Sequence, residues 1–290
     1  MLWKHRAGAP VEGAAVCADG SLVVAYSAQG ALSAFDGAGR KLWSEQVSGP
    51  RHGRMALSAD GERVATQAET PGTMVFDREG AHVWGKPGPD NLRSLAISAD
   101  GRLIVGVLDP LSLAAFDGDG RELWRHPLAG SGARATVSRD GSLIAVLAGD
   151  FTQLPTGGQL EVWSPEGKRL WIAEAGKKVS SFSVSADGSL VAAGSLDRHI
   201  YAFNSSGKML WKFAAGDWVL FTEVAAGASL VVAGTGPAEE AIYGFDRDGR
   251  LQLRHAARGV IRSLATSENG ARIVVGAGDR TLFVLDAWEQ

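Results

Sequence analysis

Cysteine is almost missing from this chain of 290 residues: Cys17 is the only one, so no intrachain disulfide can form. That fits a reducing compartment. An excess of either charge is also missing. Twenty-nine Lys and Arg stand against thirty-two Asp and Glu, a net charge of -3, which argues against general attraction to nucleic acid or to an anionic membrane. No apolar run approaches the roughly 18 residues that a membrane helix needs. Residues 1–6 lack the basic-then-apolar order of a secretory leader. These absences predict a cytoplasmic protein with neither nucleic acid nor membrane as partner.

What is present is a repeat. Asp19, Asp60, Asp100, Asp140 and Asp187, then Gly227 and Asn269, mark one turn at spacings of 41, 40, 40, 47, 40 and 42. A second element keeps the same beat: Phe35 and Trp43 recur as Phe76 and Trp84, Phe116 and Trp124, Trp163 and Trp171, and Phe203 and Trp211. Each repeat reads as four strands. In the fifth they fall over residues 179–185, 190–194, 199–203 and 208–213. The Asp-Gly between the first two is a hairpin signal whose central residues both need positive φ. A recurrent glycine (Gly39, Gly80, Gly120, Gly167, Gly207, Gly249) marks the last hairpin.

Four-stranded units of this length are propeller blades. The expected fold is therefore all-β: one domain over residues 1–290, a seven-bladed β-propeller of four-stranded antiparallel blades. The residues after Asn269 and before Asp19 together make one further repeat. The last blade should then be closed by the N-terminal strand, residues 1–5 lying beside residues 281–285.

The run from Ala202 through Asn204, Gly207 and Lys208 to Trp211 resembles the blade-docking motif of PQQ-like propeller repeats, as do the runs ending at Trp43 and Trp124. Ser195 and Asp197 before the third strand look like the WD-repeat style. The resemblance implies blades throughout the chain. The PQQ-like family includes quinone-dependent dehydrogenases, outer-membrane assembly factors and many binding modules. Its dehydrogenases generally have eight blades, a calcium ion and often a pair of adjacent cysteines. Seven repeats, one cysteine and no matching acidic cluster argue against that activity, and no cofactor or metal is expected.

The in-register tryptophans read as docking residues, each burying apolar area and needing one acceptor for its indole N–H. His5, His126 and His255 share one place in the repeat and so stand apart. No histidine has a partner set with metal-ligand spacing, and no nucleophile has an evident base.

Departures from the repeat are more telling, because variable loops on a rigid scaffold usually carry function. The fourth repeat has a long loop containing Phe151. The sixth has Glu223 in an inner-strand slot otherwise filled by Ala, Thr or Ser, with Trp218 and Phe221 beside it and out of the tryptophan register. Inner-strand entries elsewhere supply Arg51, Arg93, Arg134, Lys178 and Arg262. A carboxylate in such a slot needs a partner, and Arg262 is one candidate. These nine residues form the expected binding face. The leading functional reading is a non-catalytic module that binds a protein partner. A binder of a small anionic or polar ligand is the alternative, and a lactonase-like hydrolase has the least support.

Overall fold

Short apolar runs bounded by Asp-Gly and Gly turns leave the chain no room for helices, and the computed structural model contains 27 strands and no helix among the described residues. Those residues are 2–47, 55–67, 73–86, 92–108, 111–129, 132–149, 158–173 and 175–288. The strands pair in chain order into seven antiparallel sheets, six with four strands and the last with three. Sheet 1 holds β1 (Val11–Val16), β2 (Leu22–Ser27), β3 (Ala31–Asp36) and β4 (Lys41–Gln46). Sheet 2 holds β5 (Met55–Leu57), β6 (Arg63–Gln67), β7 (Thr73–Asp77) and β8 (His82–Lys86). Sheet 3 holds β9 (Leu92–Ile97), β10 (Leu103–Leu108), β11 (Ser112–Asp117) and β12 (Glu122–Pro127). Sheet 4 holds β13 (Gly132–Val137), β14 (Ile144–Gly149), β15 (Gln159–Trp163) and β16 (Arg169–Ala173). Sheet 5 holds β17 (Val179–Val184), β18 (Leu190–Ser195), β19 (His199–Asn204) and β20 (Met209–Ala214). Sheet 6 holds β21 (Val219–Val224), β22 (Leu230–Thr235), β23 (Ala241–Asp246) and β24 (Leu251–Ala256). Sheet 7 holds β25 (Ile261–Thr266), β26 (Arg272–Ala277) and β27 (Leu282–Asp286). These are the blades of a seven-bladed β-propeller fold.

The expected four strands of the fifth repeat are all found, within one residue at each boundary. Middle strands are covered on both sides, so β10, β18 and β22 are buried at every residue and read as continuous apolar runs without alternation. Outer strands such as β20 expose alternate residues.

Contacts group the chain into two compact units, one built mainly on residues 1–128 and the other mainly on residues 168–290. In the first, Leu22, Val24, Leu32, Val64 and Phe76 form one apolar cluster, and Ala65, Val75, Ile104 and Phe116 another. In the second, three clusters lie between successive sheets. They centre on Leu160, Val162, Val191 and Phe203, on Ile200, Val219, Val231 and Phe245, and on Val232, Ile242, Ile261 and Ile273.

The tryptophan register has one geometric meaning. Each indole N–H donates to a carbonyl in the last hairpin of the following sheet: Trp43 to Arg78 at 2.8 Å, Trp84 to Gly118 at 3.2 Å, Trp124 to Pro165 at 2.7 Å, Trp171 to Ser205 at 2.9 Å and Trp211 to Arg247 at 2.9 Å. The ring lies on that hairpin's glycine. Gly207 has φ +83°, and a Cβ there would meet Trp171 Cγ at 2.5 Å. Both the backbone and the neighbour therefore demand glycine.

The structure differs from the sequence reading in two places. At the Asp-Gly turns only the glycine has positive φ, as at Gly20 (+72°) and Gly188 (+64°). The aspartate instead accepts from the residue two before it, as Asp187 does from the Ser185 hydroxyl at 2.6 Å. That Ser Oγ also accepts from the Leu190 amide at 3.0 Å, so side-chain hydrogen bonds fix the turn.

The second difference is at the N-terminus. Among the described residues, 2–7 carry no strand and sheet 7 has three strands. Leu282 and Val284 of β27 are 73% and 55% exposed, whereas Ile242 and Gly244, which hold the same places in β23, are buried. The side-chain part of the expected role is present. Trp3 donates to Gly37 O at 3.1 Å and lies on Gly39 and Phe35, as an outer-strand tryptophan does. The docking contact needs one indole, whereas the strand needs a run of backbone partners.

Candidate functional site

Of the nine residues of the expected face, Arg51 and Phe151 lie outside the described residues. Arg93 is on β9, its side chain also outside the description, and Arg134 is exposed on β13. The remaining five, Lys178, Trp218, Phe221, Glu223 and Arg262, belong to the second unit and lie on or just before the inner strands β17, β21 and β25.

Hydroxyl side chains tie these inner strands together. Thr222 Oγ1 donates to Ser181 Oγ at 3.2 Å, and the Ser180 hydroxyl reaches the Val219 carbonyl. Ser183 Oγ accepts from the Val224 amide at 3.1 Å and donates to Glu223 Oε2 at 3.2 Å. The odd carboxylate of the sixth repeat thus has a hydroxyl donor from the neighbouring strand. Arg262, one of the candidate partners, is exposed and makes no ion pair with a described residue. Phe221 is partly buried and packs on the cluster around Ile261 and Ile273, so its side chain serves the core between sheets 6 and 7.

Trp218 is different. It occupies the same register position as Lys178 and Val260, the residue before each inner strand, whose carbonyl accepts from the residue just after the second strand. The three bonds are Leu196 N to Lys178 O at 3.0 Å, Gly236 N to Trp218 O at 2.8 Å and Gly278 N to Val260 O at 2.7 Å. Its neighbour Asp217 is buried and accepts from the Ala238 amide at 2.8 Å. Glu239 reaches back from the facing loop to accept from the Gly216 amide at 2.9 Å. The loop is pinned from three directions, yet the Trp218 side chain is 47% exposed. An exposed indole on a rigid base is a contact surface whose ordering entropy is already spent.

The acids that do this pinning escaped the sequence reading. Glu239 also accepts from Tyr243 OH and from Arg254 Nη2 at 3.2 Å. One sheet earlier, Asp197 accepts from the Gly176 amide at 2.9 Å, the His199 amide at 2.9 Å and Tyr201 OH at 2.5 Å. The signal was an acid four residues before a tyrosine, at Asp197 and Tyr201 and again at Glu239 and Tyr243. Burial pushes both carboxyls up. For Glu239, hydrogen bonds from Tyr243, Arg254 and Gly216 outweigh it; for Asp197, those from Tyr201, His199, Ser195 and Gly176 do. Both carboxyls are held below their ordinary values. Tyr201 is pushed up to about 12 by burial and by its bond to Asp197.

Among the described residues no group of three or more His, Cys, Asp or Glu side chains is placed to hold a metal ion. His5 and His255 pack on Phe35 and Phe283 at ring distances of 4.7 and 5.4 Å. Cys17 is buried and takes the turn position of Ser185, its thiol donating to Asp19 Oδ1 at 2.9 Å. A cavity of about 280 Å³ in the first unit is lined by Trp3, Val11, Tyr26 and Phe35 and by none of the nine residues of the expected face.

No protein with a curated description matches the chain. Solved structures share the fold. The crystal structure of BamB from Moraxella catarrhalis has a TM-score of 0.67 at 19% identity, over 98% of this chain and 85% of that one. The computationally designed Ika8 protein has a TM-score of 0.75 at 18% identity, over 96% of this chain and 84% of that one. Residues 1–151 and 156–287 match the family model described as outer membrane protein assembly factor BamB. The match supports the PQQ-like reading of the repeat and gives no support to the WD-repeat one. It overturns the expected cytoplasmic location, which rested on a missing leader pattern and a single cysteine, features that do not determine compartment. Since the match spans nearly every residue, the chain belongs to the family of the outer membrane protein assembly factor BamB.

Proposed function

We propose that this protein is a non-catalytic binding module in outer membrane protein assembly. It engages a protein partner through the loops that precede β17, β21 and β25, with Trp218 as the central apolar contact. The observation that carries this reading is the exposed indole on a loop pinned by hydrogen bonds from Gly236, Ala238 and Gly216. The in-register tryptophans dock on the next hairpin through their indole N–H; Trp218 stands outside that register, and stability gives no reason for an indole there. Binding hot spots are enriched in tryptophan set on pre-ordered surfaces. Family membership supports the assembly role.

The test is complementation. A host lacking the gene should accumulate less folded outer-membrane β-barrel protein, read by its heat-modifiable mobility on gels. The parent gene should restore it, and Trp218→Ala should restore it poorly although the variant is expressed and folded. Full complementation by Trp218→Ala would remove the indole from the interface. No defect on gene loss would refute the assembly role.

A further inference from the structure

Three of the acids on the loops around Trp218 face inward: Asp197 and Glu239 have side chains only 11% and 12% exposed, Asp217 is buried, and all three accept from backbone amides of neighbouring loops. Glu240 is half-buried, and Asp279 is exposed with its Oδ1 occupied by the amide and hydroxyl of Thr281. The bases face outward. Lys177, Arg198, Arg258, Arg262 and Arg280 are exposed, and none makes an ion pair with a described residue. An acid whose oxygens are occupied by fixed amides offers little to a basic group on a partner, while five exposed cations offer much to an acidic one.

Backbone strain is a second, independent observation. Arg198, Arg258 and Arg280 have φ of +70°, +54° and +74°. Arg198 and Arg280 sit in the same turn of sheets 5 and 7, closed by their amides on the carbonyls of Ser195 and Ala277. The equivalent turn of sheet 1 has Gly30 at φ +81°, closed on Ser27. Glycine adopts this conformation without penalty and arginine does not, so arginine in these turns is disfavoured by the fold itself. Arg262 extends toward the same turn of sheet 7: a Cβ on Gly278 would lie 3.4 Å from its Nε.

We infer that the loops of sheets 5 to 7 form a cationic docking surface for an acidic polypeptide segment, with Arg198, Arg258 and Arg280 held in left-handed turns to bind its carboxylates and Trp218 to cover an apolar side chain between them. This deepens the binding-module reading and rests on it. The partner is a polypeptide and not a lipid surface, because Trp218 is the only exposed large apolar side chain on these loops among the described residues. Interfacial insertion needs a broader apolar face.

The probe is a fluorescent synthetic peptide rich in Asp and Glu with one Phe, compared with a control in which Asn and Gln replace the acids. The acidic peptide should bind and the amide control should not, and affinity should fall steeply between about 0.05 and 0.3 M salt. The double variant Arg198→Gly, Arg280→Gly should bind about tenfold or more weakly, with a Tm equal to or above the parent's because glycine relieves the turns. Equal binding of the two peptides, unchanged binding by the double variant, or a lower Tm for it would each overturn the inference. So would preferential binding to vesicles of phosphatidylcholine and phosphatidylglycerol. The two readings fail separately. If the double variant complements fully while Trp218→Ala does not, the cationic surface is wrong and the module stands. If gene loss gives no assembly defect but the double variant still loses the acidic peptide, the assembly role is wrong and the surface stands.

Discussion

Gly207 and Trp171 allow the docking geometry to be tested as a coupled pair. The Trp171 ring is held by a 2.9 Å bond to Ser205 O and by Phe203, whose ring centroid is 5.4 Å away. Trp171→Ala removes a hydrogen bond worth about 1 kcal/mol and a ring pair worth about 1 kcal/mol. With lost burial the total should approach about 3 kcal/mol, the low end for aromatic truncation because the ring is only half-buried. Gly207→Ala costs about 1 kcal/mol for the left-handed backbone alone. Its new methyl would also stand 2.5 Å from Trp171 Cγ. Relief requires the ring to retreat by about 1 Å, which stretches the indole bond past its useful range. The single variant should therefore lose about 3 kcal/mol, but only about 1 kcal/mol when Trp171 is already Ala, a coupling near 2 kcal/mol. Urea titrations followed by circular dichroism measure all four corners, and the denaturant slopes check that one transition is being compared. A Gly207→Ala cost that differs by less than about 0.5 kcal/mol between the two backgrounds would show that the glycine serves the turn alone.

Three further outcomes follow from the same geometry. Trp218→Ala should lower stability by less than about 1 kcal/mol in a denaturant melt, because nearly half of the side chain is already in water. Glu239→Ala should cost about 2 kcal/mol, since it strips the Gly216 amide and the Tyr243 hydroxyl of their acceptor, and thermal melts read this directly. Tyr201 favours its protonated form in the folded state, so its contribution is intact below the ordinary tyrosine value and is lost as pH rises toward about 12. Ultraviolet titration should show late ionisation from Tyr201 and Tyr243, both raised by burial, and Asp197→Ala should move the Tyr201 part of it to lower pH. The carboxyls of Asp197 and Glu239 act in the opposite sense. Their folded-state values are depressed, so their stabilisation is present at neutral pH and fades as pH falls through those values.

The blades were legible because their signals are local and repeated seven times. An apolar run, a Ser-x-Asp-Gly turn and a Trp eight residues after an aromatic each have one geometric solution, and repetition averages out exceptions such as Gly227 or Trp163. The fourth strand of sheet 7 was inferred from arithmetic on the two chain ends. Counting residues establishes that enough chain exists for a strand; the docking of Trp3 on Gly39 follows from the tryptophan register instead. Glu223 was read as needing a partner, but spacing cannot choose between Arg262, one repeat later on β25, and Ser183, one repeat earlier on β17. Phe221 looked exceptional because it departs from the tryptophan register, yet an aromatic can leave one register and still pack in the core. The positive φ of Arg198 and Arg280 was hidden for a different reason. Glycine announces a left-handed turn, and an arginine in the same place does not.

That last contrast explains why structure and binding can be separated within the second unit. At one end of sheets 5 to 7, hairpins closed at Gly207 and Gly249 receive the rings of Trp171 and Trp211, and a changed residue there disturbs the contact between blades. At the other end the loops are held by Asp197, Asp217 and Glu239 through the backbone amides of Gly176, Ala238 and Gly216, bonds in which the side chains of Lys177, Trp218 and Arg258 take no part. Lys177, Trp218 and Arg258 can therefore be replaced without removing any bond that fixes their loops. The acids secure the backbone and leave the neighbouring positions open to selection for a partner, which is where an exposed indole and strained arginines have accumulated.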